Sequence, residues 1–471
     1  MTELLIILHI FFVSFLDKPE KSEPALSPRA IEQRQKWAIT TDELDYPVSK
    51  TYVDSLAKMG AKIHHTSRWM NGATVEMNET LAAKVSTLGF VTHVETTRDN
   101  SAPRYLPKLK RHFLESTQEA TENLTHDQLA LYNLLPLHEA GYKGQGILMA
   151  VCDGGFYKAN TMSCFRQSEL ELGHYDFTDD EDDFYGPTGS HGTMCLSVIS
   201  GSQDNYTGAA EQAQYYLMRS EEVETESYKE MDNLVVALET ADSLGVNVFS
   251  VSLGYALFDN YSWDLSYEDL NGVSTRVSRA ATIAARKGML VCAAAGNEGN
   301  DEWLKIGVPA DADSILTVGA VTTGGQIGGF SSYGPSADGR IKPEVCAVGV
   351  SAITISPNEI ITQANGTSFS TPLLAGLAAT LWSALPSENA MQIRERIIRS
   401  AHRYQNPDLN QYGYGIPDAW KAYTMYAEGI ETPPATNDSE IRKVLNGNQI
   451  HIIRHGHVYN LTGQLIYSPV Q

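Results

Sequence analysis

The sequence predicts an α/β protein whose largest domain is a parallel β-sheet flanked by helices. From His126 onward, apolar strand-like runs alternate with helix-like segments, the pattern of right-handed βαβ crossovers. The runs are continuously apolar, as in strands that are buried on both faces. The predicted strands are residues 147–151, 215–218, 246–251, 289–294 and 315–321, and the predicted helices are residues 193–200, 231–244 and 274–287.

Length and composition narrow the class of protein. A chain of 471 residues can hold two or three domains, and its 42% hydrophobic content is that of a soluble globular protein. The net charge of −22 argues against nucleic acid and against anionic membranes as partners.

Metal and disulfide signals are weak in this sequence. The five cysteines are too few and too scattered for a disulfide framework, and no C-x-x-C motif suggests zinc. Cys152, Cys195 and Cys292 lie in apolar runs and are interpreted as small core residues. The acidic run at residues 179–183 could bind a structural calcium ion or be a solvated loop; the spacing of an EF-hand is absent.

The N-terminal run at residues 4–16 is too short to span a bilayer but has the length of a signal-peptide core. We therefore interpret residues 1–20 as a signal peptide, which implies a secreted, cell-surface or periplasmic protein. Glu3 stands where a basic residue is typical, so a buried N-terminal strand is the alternative.

Residues 24–100 are predicted to form a small α+β unit of ferredoxin-like order βαββαβ. Its clearest local signals are the hairpin turn Asn71-Gly72 and the helix cap Asn78. The predicted elements are a strand at 36–40, a helix at 48–59, a hairpin within 61–77, a helix at 79–88 and a strand at 90–95. Residues 101–122 are polar and mixed in charge, typical of an exposed linker that tolerates proteolysis.

The stretch NGTSFSTP around Ser368 precedes a small-residue apolar run, residues 373–381, that is long enough for a buried helix. Pro372 suits the first turn of such a helix. Ser368 would then lie at the positive end of a helix dipole, where its hydroxyl can attack a carbonyl and a backbone N–H can hold the oxyanion. Taken alone, the motif is more typical of an ordinary N-cap.

Three upstream stretches favour the chemical interpretation: VCDGG around Asp153, SHGT around His191 and AAAGNEG around Asn297. With Ser368 they give the chain order Asp, His, Asn, Ser, each beside glycine. Four motifs in this order resemble the subtilisin family of serine proteases, and the resemblance runs from about residue 127 to about residue 426.

The resemblance implies a role for each of these residues. Ser368 would be the nucleophile, His191 its general base, and Asp153 the carboxylate that orients His191. Asn297 and the Ser368 N–H would form the oxyanion hole. The family usually has Ser or Thr after this Asp; here Gly154 stands instead, a change that could loosen the hydrogen bonds around the carboxylate.

The resemblance also implies a domain plan and partners. Residues 123–428 would be the catalytic domain, in which Ser252, Leu253 and Gly254 form the edge that pairs with an extended peptide substrate. Residues 24–100 resemble the inhibitory propeptide of such enzymes. We expect a monomer that acts on protein or peptide substrates and binds its own propeptide. The sequence indicates no cofactor other than the candidate structural calcium ion.

We interpret residues 429–471 as a linker followed by a short β tail. The tail resembles the end of carboxy-terminal sorting tails on secreted Bacteroidetes proteins, and a strand pair docked on the catalytic domain is the alternative. For the whole chain, the alternative function is a catalytically silent subtilase-like domain used for binding or scaffolding. A dinucleotide-binding protein is excluded because no G-x-G-x-x-G follows a first strand.

Overall fold

The computed structural model describes residues 7–20, 22–99, 123–178, 183–187 and 189–425, and the backbone of strands between residues 442 and 467. The linker at 101–122 and residues 179–182 of the acidic run lie outside the described residues. The N-terminal domain contains β1 (His9–Phe15), α1 (Pro28–Lys36), α2 (Lys50–Lys58), β2 (Lys62–Ser67), β3 (Gly72–Met77), α3 (Glu79–Val85) and β4 (Val91–Arg98).

The larger domain begins with α4 and ends with α12. Its first half contains α4 (His126–Ala130), α5 (Leu135–Glu139), β5 (Leu148–Asp153), α6 (Gln167–Leu170), β6 (Glu171–Asp176), α7 (Ser190–Ser200), β7 (Ser202–Gln203), β8 (Tyr206–Thr207), β9 (Gln214–Arg219) and α8 (Tyr228–Leu244). Its second half contains β10 (Val248–Val251), α9 (Arg276–Arg286), β11 (Leu290–Ala294), β12 (Leu316–Val321), β13 (Val345–Val348), β14 (Ala352–Ile355), β15 (Ile361–Ala364), α10 (Thr367–Ala384), α11 (Ala390–Ser400) and α12 (Ala419–Thr424).

The main sheet is parallel throughout. Among the described residues its seven strands have the order β13-β12-β11-β10-β5-β9-β6. One large apolar cluster includes residues of α7 and α10, and a second includes residues of α8 and α9, so the sheet is buried on both faces. The predicted α/β fold is therefore confirmed, because every strand and helix predicted from the alternating pattern overlaps an observed one.

The N-terminal domain has the ferredoxin-like strand order β2-β3-β1-β4, with every pair antiparallel. The predicted hairpin and the Asn78 cap are present, since the Asn78 side chain accepts from the Leu81 N–H. The strand predicted at 36–40 is wrong. Ser27 caps α1, Pro28 occupies its first position, and the helix ends at Lys36, so that residues 37–40 are a turn and an irregular segment.

The first strand of this sheet is β1, the run that we interpreted from sequence as a signal-peptide core. The structure instead has the alternative, a buried strand, at residues 9–15. Phe11, Val13 and Phe15 pack in the core of the N-terminal domain, and Phe12 lies 4.4 Å (ring centroid) from the Arg276 guanidinium of the larger domain. A strand buried on both faces is continuously apolar, and periodicity alone cannot tell it from other apolar segments.

The N-terminal domain packs on α8 of the larger domain through buried charges. Glu239 accepts hydrogen bonds from Ser67 Oγ at 2.5 Å and from the Arg68 N–H at 2.9 Å. Arg68 and Arg34 both reach Asp242, at 2.7 and 2.8 Å. Breaking a buried pair leaves an uncompensated charge, so these contacts specify how the two domains dock.

The C-terminal tail contains the small β unit that the sequence predicts. Its strands β16 (Arg442–Asn446), β17 (Gln449–Arg454), β18 (His457–Tyr459) and β19 (Leu465–Tyr467) pair in chain order as an antiparallel sheet. Across the described residues, none of the helices combines the length and apolar character that a bilayer crossing requires.

Candidate active site

Asp153 and His191 meet at the carboxyl edge of the main sheet. Asp153 is the last residue of β5, and His191 is the second residue of α7. Both side chains are buried, and His191 Nδ1 lies 2.8 and 2.9 Å from the two Asp153 carboxylate oxygens. The edge formed by strand carboxyl ends is where open parallel sheets bind their ligands.

Glycines beside Asp153 and His191 allow these two residues to come so close. A Cβ on Gly189 would lie 2.3 Å from Gly155 Cα, and a Cβ on Gly192 would lie 2.8 Å from Asp153 Cβ. No side chain fits at such distances, so the loop after β5 and the start of α7 can touch only through glycine.

Gly154 replaces the hydroxyl residue that usually follows this Asp, and we expected looser hydrogen bonding. The backbone N–H of Gly154 donates to Asp153 Oδ1 at 2.8 Å. The carboxylate therefore keeps a donor from its own loop in addition to His191, and position 154 needs no side chain for it.

The protonation of His191 follows from its surroundings. Burial alone would lower the pKa of His191, but the adjacent Asp153 carboxylate outweighs it and raises that pKa well above its usual value. The Cys195 thiol lies 3.9 Å from each ring nitrogen of His191, and burial raises its own pKa. Cys195 therefore stays a neutral thiol at neutral pH, and Asp153 is the charge that acts on the imidazole.

Ser368 is the second residue of α10, so its N–H is among the first-turn donors that have no acceptor within the helix. Pro372 is the sixth residue of α10, not in its first turn as predicted. Proline has no N–H, so the carbonyl of Ser368, four residues earlier, accepts no intrahelical bond from that position. It accepts instead from Ser252 Oγ at 2.9 Å and Cys195 Sγ at 3.3 Å.

The Ser368 hydroxyl donates to the carbonyl of Ser252 at 3.2 Å. Ser252 follows β10 directly, so the predicted substrate edge touches the predicted nucleophile. Cys195 contacts both His191 and the Ser368 carbonyl, and Phe369 packs with its ring centroid 5.6 Å from that of His191. These contacts bring Asp153, His191 and Ser368 into one site.

Asn297 lies in the loop after β11, with its amide oriented by α10. Its Oδ1 accepts from the Thr367 N–H at 2.8 Å and from Thr367 Oγ1 at 3.0 Å. The Nδ2 group has no hydrogen-bond partner among the described residues, and Asn297 lines the same cavity as Ser368. The turn requires Gly296, which has φ +114° and whose Cβ would meet Glu298 Oε2 at 2.4 Å.

A cavity of about 520 Å³ opens beside Ser368. It is lined by all the residues predicted from sequence to bind substrate, namely Ser252, Leu253 and Gly254, and also by Asn297. Trp303 also borders this cavity, and its Nε1 donates to the Ile306 carbonyl at 3.1 Å. Size and position fit a site for part of an extended peptide.

Sequence reasoning missed two features of the site. Cys195 was assigned to the core only, although it lies four residues after His191 in α7 and therefore on the same helix face. Acidic residues of the cavity wall were also missed, because Glu298 and Asp301 belong to a loop whose path the sequence does not define.

The described residues contain one group with the proximity of a metal site. Ligand atoms of Asp153, His191 and Cys195 lie within 4.8 Å of one another. The Asp153–His191 hydrogen bond already explains this proximity. The raised pKa of Cys195 also disfavours the thiolate that a metal would need.

Comparison with known proteins identifies the class. The model of the subtilase family matches residues 144–415, and that of the peptidase S8 propeptide domain of Bacteroidota matches residues 10–112. The chain belongs to the subtilase family: it is a subtilisin-type serine peptidase that carries a propeptide domain.

Individual relatives agree with this assignment. Subtilisin DY of Bacillus licheniformis is 30% identical over 280 residues, covering 59% of this chain and 90% of the relative. Subtilisin NAT of Bacillus subtilis subsp. natto is 26% identical over 366 residues, covering 77% of this chain and 83% of the relative. Serine protease AprX of Bacillus subtilis is 27% identical over 311 residues, covering 59% and 66%.

Solved structures share the fold. The MycP3 protease from the type VII (ESX-3) secretion system superposes with a TM-score of 0.52 at 20% identity, covering 66% of this chain and 91% of MycP3. MycP1 with its N-terminal propeptide removed gives 0.50 at 23% identity, covering 64% and 98%. At these identities the likeness concerns the fold alone.

Proposed function

We propose that this protein is a secreted serine endopeptidase in which Asp153, His191 and Ser368 form the catalytic triad. The observation that carries the proposal is the buried Asp153–His191 pair, which shares the neighbour Cys195 with Ser368, and Ser368 lines the cavity. A carboxylate on Nδ1 holds the imidazole in the tautomer whose Nε2 can accept a proton from a serine hydroxyl.

The reaction needs a small movement of Ser368. Its hydroxyl must turn from the Ser252 carbonyl towards His191 Nε2, to which it gives its proton as Oγ bonds to the peptide carbonyl carbon. The developing oxyanion is held by Asn297 Nδ2 and the Ser368 N–H. His191 then protonates the leaving amine as the C–N bond breaks, and water releases the acyl group by the reverse transfers.

The oxyanion contribution of Asn297 follows the subtilisin precedent. There, loss of the corresponding amide costs about 10²–10³ in turnover, and we carry this magnitude over to Asn297→Ala. The observation that supports this role here is that Asn297 Oδ1 accepts two hydrogen bonds from Thr367, which leaves Nδ2 as the group available to substrate.

The enzyme is made as a precursor that cuts itself. The N-terminal domain covers α8 and α9, and its last strand, β4, ends at Arg98, which pairs with Glu222 at 2.5 Å. Glu221, the neighbour of Glu222, lines the cavity of Ser368. The chain therefore leaves the propeptide domain beside the active site. We further propose that the mature enzyme is a monomer. We also propose that it does not bind nucleic acid, and the net charge of −22 of the full chain supports this.

Processing of the inactive variant tests this function. Expressed alone, Ser368→Ala should accumulate as an uncut precursor that hydrolyses no casein, whereas the wild type should yield a shorter, active form. The matched control is Ser262→Ala, an exposed serine. Normal trimming of purified Ser368→Ala would contradict self-cleavage, and a wild type that stays uncut and cleaves no casein would favour the silent alternative.

A further inference from the structure

The cavity beside Ser368 is strongly acidic. No Lys, Arg or His is among the described residues that line it. Its walls carry five carboxylates: Glu221, Glu226, Glu298, Asp301 and Glu302. Walls of one sign around a low-dielectric cleft focus the field on whatever enters it.

Glu298 is the carboxylate closest in sequence to the oxyanion-binding Asn297. It is half-buried, and its Oε2 accepts from Ser332 Oγ at 2.9 Å. Burial raises the pKa of Glu298, and the nearby Asp301 acts in the same direction. Neither Glu298 nor Asp301 has an ion-pair partner in the described part of the chain. A partly desolvated carboxylate of this kind gains from any cation that enters the cavity.

A second acidic wall lies where the propeptide ends. Glu221 lies near the catalytic loop, since a Cβ on Gly154 would be 3.6 Å from its Oε2. The adjacent Glu222 pairs with both Arg98 and Lys229, so this wall carries carboxylates at two successive positions. Asp99, the next residue of the propeptide, accepts from Asn260 Nδ2 at 2.8 Å.

The sequence that follows Asp99 is basic. Residues 100–114 contain no Asp or Glu, and they include Arg104, Lys108, Lys110 and Arg111. The propeptide family model ends at residue 112, one residue after Arg111. A span of 12 residues from Asp99 to Arg111 reaches at most about 43 Å when extended, enough to enter the cavity that Glu221 lines.

We propose that this cleft selects peptides with basic side chains on the acyl side of the cleaved bond. The residue at the attacked carbonyl would place Arg or Lys against Glu298 and Asp301, and an earlier basic residue would face Glu221 and Glu226. The chain's own segment around Lys108–Arg111 is then the first substrate. The inference rests on the proposed function of Ser368, and it adds the substrate class.

Matched fluorogenic peptides test the charge requirement. Two substrates identical except for Arg or citrulline at the attacked carbonyl are compared on the processed enzyme, because citrulline keeps the shape of Arg without its charge. We expect kcat/KM to favour Arg by about 10–100-fold, the range that one desolvated polar contact can supply. The double variant Glu298→Gln, Asp301→Asn should bring this ratio close to one.

The control for that variant is Glu395→Gln, an exposed carboxylate on α11. It should keep the wild-type ratio of the Arg and citrulline substrates. Equal or faster cleavage of the citrulline peptide by the wild type would overturn the inference while leaving the serine peptidase intact. Failure to cleave either peptide or casein would instead overturn the proposed function, and the inference with it.

Cleavage of the precursor gives an independent readout. The Ser368→Ala precursor is offered in trans to processed wild type, with and without Lys108→Gln, Lys110→Gln and Arg111→Gln. The triple change should slow its cleavage about 10-fold or more, and Lys84→Gln in the propeptide domain should not change the rate. A cut that maps outside residues 104–112, or one that is indifferent to the triple change, would contradict the assignment of this segment as first substrate.

Discussion

Ser252 and Ser368 are joined by two reciprocal hydrogen bonds, although 116 positions separate them in the sequence. Ser252 Oγ donates to the Ser368 carbonyl at 2.9 Å, and Ser368 Oγ donates to the Ser252 carbonyl at 3.2 Å. The first bond depends on Pro372, whose missing N–H leaves the Ser368 carbonyl available. The edge that would pair with substrate and the start of the nucleophile helix are thereby held as one unit.

We predict that Ser252→Ala lowers turnover without preventing folding. The Ser368 carbonyl would keep Cys195 as a weak donor and lose its stronger one, a change of about 1 kcal/mol, or roughly 5–10-fold in kcat. Steady-state kinetics on processed enzyme measure the effect, with the exposed Ser262→Ala as control. A kcat equal to that of wild type would show that the hydrogen bond from Ser252 Oγ does not position the nucleophile.

Ser368→Ala and His191→Ala should each remove nearly all peptidase activity, and the double variant should be hardly worse than either. Members of a triad act as one unit, so their losses do not add. The measurement is kcat for one peptide substrate on all four proteins, each processed in trans by wild type. Losses that multiply in the double variant would mean that the two residues act independently.

Asp153→Asn should fold normally yet lose about 10⁴ in turnover, because an amide can hold His191 in the wrong tautomer and cannot offset the imidazolium charge. Circular dichroism checks the fold and steady-state kinetics give kcat. Near-full activity in a folded protein would mean that another group orients His191.

The pH profile gives a separate prediction for the same pair. His191 must be neutral to act as base, so kcat/KM falls as pH drops through its pKa. Since the Asp153 carboxylate raises that pKa, removing the charge lowers it, and the acid limb of Asp153→Asn should move to lower pH. An unchanged or higher acid limb would contradict the electrostatic role of Asp153.

The buried position of β1 predicts which propeptide fragment is functional. A fragment of residues 7–99 should fold and inhibit the processed enzyme in trans, whereas residues 24–99 should not. The shorter fragment lacks the central strand that pairs with both β3 and β4, together with Phe11 and Val13 of the core. Equal inhibition by the two fragments in a titration would show that β1 is dispensable.

Much of the fold could be predicted because its signals are local. The strands of the main sheet and the helices that flank it are short, strongly apolar segments that alternate along the chain. Each catalytic motif also contains a glycine. β1 was misassigned because a strand covered by two domains looks like any apolar run. The roles of Cys195 and Glu298 depend on contacts across 173 and 34 positions, with Ser368 and Ser332, which no local pattern encodes.

Labelling by a fluorophosphonate, followed by mass measurement of the modified peptide, tests the central claim most directly. The reagent phosphonylates a serine only where a neighbouring base activates it. The account predicts one adduct in processed wild type, on the peptide that contains Ser368, and none in Ser368→Ala or His191→Ala. An adduct on another serine, or an unlabelled wild type that still cleaves peptides, would contradict Ser368 as the nucleophile.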